Sequence, residues 1–147
     1  MFYSLTTFIG KDVIFQALTK ATSGIINSLT YLMKQEIHPQ LEKELVKLDL
    51  IPCISVFAAI AQEDDRELRN SLHIALNYVH ATIEDINKLL HAIQSEMKIH
   101  EERWFSTWRT PNVYSKLEQI KELKVLLDKR IGLFIQMVQF QKKKIYK

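Results

Sequence analysis

Residues that staple or punctuate a chain are scarce here: one cysteine, three glycines and three prolines among 147 residues. So few turn residues exclude a β-rich fold and leave long helices with short joints. Three isolated glycines cannot build a phosphate-cradling loop. A single cysteine permits no internal disulfide framework and suits a reducing intracellular compartment such as the cytoplasm. Cys53 lies in IPCISVFAAIA with no positive charge beside it, so it reads as a buried, inert thiol. Long uncharged runs are also missing. The most apolar uncharged run beyond the first thirty-three residues, Leu50 to Gln62, falls short of the ~20 residues that span a bilayer. The first residues hold Lys11, Asp12 and Lys20 and lack both a basic leader and a small-residue cleavage pattern, so no signal peptide is expected.

What is present fits one soluble domain, 1–147, able to bury roughly two-thirds of its unfolded surface without metal or disulfide. Apolar residues make up 47% and charged residues 25%, ordinary values for a globular chain. The net charge of +3 is uneven. Residues 61–100 carry seven acids and four bases, whereas 101–147 carry five acids and eleven bases. A basic tail, 142–147, closes the sequence with Lys142, Lys143, Lys144 and Lys147. It reads first as a solvated helix end whose lysines complement the helix dipole, and second as a contact for an anionic partner.

Apolar spacing then sets the fold class: all-α, a bundle of four to five helices on a long antiparallel αα-hairpin. Asp12 suits a helix start. The seam Ile14, Leu18, Ala21, Ile25, Leu29, Leu32 follows it in steps of three and four. Small Ala21, Ser23 and Gly24 mark a close helix approach or a kink. Pro39 opens a second helix with Leu41, Leu45 and Leu48 on one face. Pro52 opens a third, Ile54 to Gln62, apolar nearly all round and therefore expected to be buried. The longest helix is expected from Asp65 to Trp108, with the seam Leu68, Leu72, Ala75, Val79, Ile83, Ile86, Leu90, Ile93, Met97. The last, Asn112 to Gln141, carries Leu117, Ile120, Leu123, Leu127, Ile131, Phe134 and Val138.

Two segments stand out as protein-contact candidates. In the hinge HEERWFSTWRTPN, Trp104 and Trp108 are four apart and share a helical face. With Arg103, Phe105 and Arg109 they read first as an apolar cap over the hairpin turn. They read second as an interface patch, since aromatic and arginine residues are enriched at binding hot spots. The arm 1–10 holds Phe2, Tyr3 and Phe8, which should pack on the bundle or on a neighbouring subunit. His73, Asn77, His80 and Glu84 form one stripe at spacings of four, three and four. The stripe lacks the Glu-x-x-His repeat of di-metal bundles and reads as a solvated polar face. No catalytic signature, cofactor site or metal site is expected. Nucleic-acid contact is the weaker expectation, because Glu101 and Glu102 interrupt the basic run and no DNA-binding spacing is present.

The run HPQLEKELVKLDLIPCISVFAAI, continued by SLHIALNYVHATIEDINKLLHAIQSEMKIHEERWFSTWRTPN, resembles short all-helical proteins of large nucleocytoplasmic DNA viruses. His38-Pro39, Leu48-Asp49-Leu50, Trp104-Phe105 and Trp108-Arg109 carry the resemblance. It implies a virion or host-interaction role, with minor capsid components as one form, and transfers no catalytic residue. The expected function is thus a non-enzymatic structural or adaptor protein that self-associates or joins capsid proteins. The alternative is a regulatory bundle that binds a host helix, or a nucleic-acid-associated protein working through the basic C-terminal region.

Overall fold

Period-three-and-four spacing produces helices wherever a computed structural model describes the chain, at residues 11–34, 39–63, 70–102 and 113–145, with only the backbone described at some helix ends. The elements are α1 (Lys11–Lys34), α2 (Pro39–Leu48), α3 (Leu50–Glu63), α4 (Asn70–Glu102) and α5 (Tyr114–Ile145). No strand occurs among the described residues. Asp12 lies inside the first turn of α1 rather than at its cap, where its charge still complements the helix dipole.

Asp49 alone separates α2 from α3. Its φ is 51°, in the left-handed region that aspartate tolerates better than most residues. Its N–H donates to Val46 O at 3.1 Å and its carbonyl accepts from Cys53 N at 3.2 Å. Pro52 falls in the first turn of α3, where its missing N–H leaves no bond unmade. The two helices therefore act as one bent rod, and the described residues form a bundle of four rods.

α4 occupies the middle, packed on α5 along one side and on α1 along the other. Arg130 Nη1 donates to Thr82 Oγ1 at 2.5 Å, and Lys116 Nζ donates to Glu96 Oε1. These pairs place α5 antiparallel to α4. Ser28 Oγ donates to Gln94 Oε1 at 3.0 Å, and Lys98 Nζ lies 5.1 Å from the Tyr31 ring centre. Those pairs rise together along both chains, so α1 runs parallel to α4. At ~1.5 Å per residue the α4–α5 pair extends roughly 50 Å. Phe57 of α3 meets Phe134 of α5 edge-on, with ring centres 5.4 Å apart. That contact closes the bundle opposite α4.

Most expected seam residues are buried, with Leu29, Leu48 and Leu123 only partly so. Leu68 lies outside the described residues. Three expectations need correction. α3 is not buried all round: Leu50, Ile54, Phe57 and Ala61 face the core, while Ser55, Val56 and Ala59 are exposed. A helix at the edge of a four-rod bundle has neighbours on one side only. On α1, Ser28 is more buried than Leu29, because its hydroxyl is satisfied by Gln94. On α4 the buried face is wider than the seam, with Leu76 on one flank and Thr82 on the other both at 0% exposure, because the helix has partners on two sides.

Gly24 marks a close approach. A Cβ there would meet Asn87 Oδ1 at 2.6 Å, so the small residue lets α1 settle onto α4. Gly132 of α5 has nothing within 4 Å of such a Cβ. Gly132→Ala should therefore stabilise the protein by about 0.5–1 kcal/mol by restricting the unfolded chain and favouring helix. A urea unfolding midpoint checks this.

Candidate interaction surface

The contact residues expected from the sequence fall outside the described residues. Phe2, Tyr3 and Phe8 do so, as do Arg103, Trp104, Phe105, Trp108, Arg109 and Lys147. Lys142, Lys143 and Lys144 belong to the last turns of α5, which runs to Ile145 rather than ending at Gln141, and their side chains also lie outside the description.

The stripe His73, Asn77, His80, Glu84 is not a solvated face. His80 is buried and the other three are half-buried. His80 Nε2 lies 3.3 Å from Glu84 Oε1 but is out of line for a hydrogen bond, which leaves it without one. Asn77 Nδ2 donates to His73 O at 2.8 Å. Among the described residues, no group of three or more His, Cys, Asp or Glu is placed to hold a metal ion.

Cys53 is half-buried rather than buried. Burial pushes its thiol above the usual range, Lys124 pulls it back, and Asp128 raises it again. Sγ lies 3.6 Å from Asp128 Oδ1. The positive charge missing from its sequence neighbourhood is thus supplied in space by α5, yet desolvation outweighs it and keeps the sulfur protonated.

Ion pairs tie the rods together at the surface. Lys121 Nζ lies 3.0 Å from Glu44 Oε2, joining α5 to α2. The bond from Lys121 holds the Glu44 carboxyl below its ordinary 4.5. A depressed carboxyl contributes stability above its unfolded value and loses it as pH falls through the folded value. An NMR titration should find Glu44 titrating below 4.5, and Lys121→Ala should return it toward 4.5.

One surface collects apolar side chains that the core does not use. Ile74 and Tyr78 sit four apart on α4 and are 37% and 41% exposed, while Leu133 and Phe140 sit seven apart on α5 at 52% and 63%. The antiparallel register brings Leu133 level with Tyr78, and Phe140 toward the first turns of α4. Ala75, Tyr78, Arg130 and Leu133 line a hollow of about 190 Å³ there. Arg130 is committed to its own chain: beyond Thr82, Nη1 donates to Tyr78 O at 3.2 Å, and its guanidinium carbon lies 5.0 Å from the Tyr78 ring centre. A second apolar stripe on α5 (Leu126, Leu133, Met137, Phe140) was readable in the sequence, and looking for one seam per helix hides it. A hollow of the same volume between α1 and α3 is lined by Phe15, Thr19, Ile54, Ala58 and their neighbours. Both are smaller than the roughly 300–1,000 Å³ common for small-molecule sites. No described helix is long and apolar enough to cross a membrane.

No family model matches the chain, and no solved structure matches it. An uncharacterized protein of Acanthamoeba polyphaga mimivirus is 25% identical over 96 residues, which cover 61% of this chain and 46% of that protein. The chain therefore spans less than half the length of the relative it matches, and it is similar to an uncharacterized protein of a large nucleocytoplasmic DNA virus.

Proposed function

We propose that this protein is a non-enzymatic assembly element, a helical bundle that joins protein subunits, with a viral minor capsid component as its specific form. The observation carrying this reading is the apolar outer groove of α4 and α5. A helix that spends one stripe on its own core and shows a second to solvent is built to pack on both sides. The mimivirus likeness supports the viral setting.

Density-gradient fractionation of infected cells tests it. The protein should sediment with particles, and Leu133→Glu combined with Phe140→Glu should move it to the soluble fractions. Wild-type protein found only among soluble proteins contradicts the reading.

A further inference from the structure

We infer that the outer α4–α5 groove binds a second copy of this chain in a two-fold symmetric pair. The inference rests on the assembly reading and names the partner. The groove carries both halves of a contact. Phe140, 63% exposed, is a projecting knob. The hollow of Ala75, Tyr78, Arg130 and Leu133, about 190 Å³, is a socket on the same face. Leu133 and Phe140 are seven residues apart on α5, roughly 10 Å along its axis.

A knob and a socket side by side on one face complement each other under a two-fold rotation: each copy's Phe140 enters the other's hollow. The axis then passes between them, near Gln136, which is exposed on the same stretch of α5. The groove is apolar, and the Arg130 guanidinium at its edge is already engaged by Tyr78 and Thr82. This suits an apolar protein face better than an anionic partner. The four exposed side chains offer about 400 Å² per copy, at about 200 Å² for a large side chain. With the half-buried Arg130 and Met137 stems, the pair comes to about 1,000 Å² in total, the size of weak, transient interfaces. A dimer of micromolar strength follows, rather than an obligate one.

Sedimentation equilibrium of the full chain over a concentration series provides the test. The mass should climb from 17.3 kDa toward twice that value. Leu133→Glu and Phe140→Glu should each hold it at the monomer value with an unchanged helical circular dichroism spectrum. In a Cys53→Ser background, Gln136→Cys should cross-link two copies on oxidation, whereas Ser55→Cys, exposed on α3, should not. A mass fixed at 17.3 kDa at all concentrations overturns this inference and leaves assembly with other proteins to the gradient experiment. A dimer that survives both glutamate variants overturns it as well, since the contact would then lie on another face.

Discussion

Phe134→Ala is expected to lower the unfolding free energy by about 3–5 kcal/mol. Phe134 is almost fully buried and meets Phe57 edge-on at 5.4 Å, so its ring holds α5 to the α2–α3 rod. Truncation removes the transfer free energy of the ring and leaves a cavity that rigid helices on both sides cannot close. It also removes an aromatic pair worth about 0.5–1.5 kcal/mol beyond its area. Against a reserve of roughly 5–15 kcal/mol, such a loss leaves a marginal fold. Denaturant unfolding followed by circular dichroism measures it. A loss under about 1 kcal/mol would mean that α3 does not rest on α5 as described.

Leu76→Ala is the second large effect, at about 2–5 kcal/mol. Leu76 lies at one edge of the α4 seam, four residues after Leu72 and three before Val79, where a helix packed along a narrow line would bury it only in part. In the structure its exposure is 0%, because α4 has a partner on each side. Ile74→Ala, two residues away and 37% exposed, should cost far less, within about 0.5–1 kcal/mol. Comparing the two under the same conditions reports how many faces of α4 are covered.

The contrast between these residues shows what the sequence made legible. The helices, their order and most of the core stripe follow from apolar spacing, since period three-and-four directly reports which side chains share a face. The Asp49 joint was signalled by the proline that follows it. Which helix sits in the middle was not legible, because that depends on how four stripes meet in space. Leu76, the burial of His80 and the exposed back of α3 all trace to that one gap. The hinge aromatics, the N-terminal arm and the lysine tail stood out by composition, and their side chains lie outside the described residues. The outer groove was half legible, since the second stripe of α5 can be read in the sequence but its meeting with Ile74 and Tyr78 needs the antiparallel register.

Leu133 and Phe134 are chain neighbours, one exposed and the other buried, and they test the account most directly when measured together for melting temperature and for mass in solution. Leu133→Glu should leave the melting temperature near that of the wild type and abolish association, whereas Phe134→Ala should lower it by roughly 10 °C or more, at about 2–8 °C for each kcal/mol lost. Equal melting losses for the two, or association untouched by Leu133→Glu, would contradict a bundle with one apolar face turned inward and another offered to a partner.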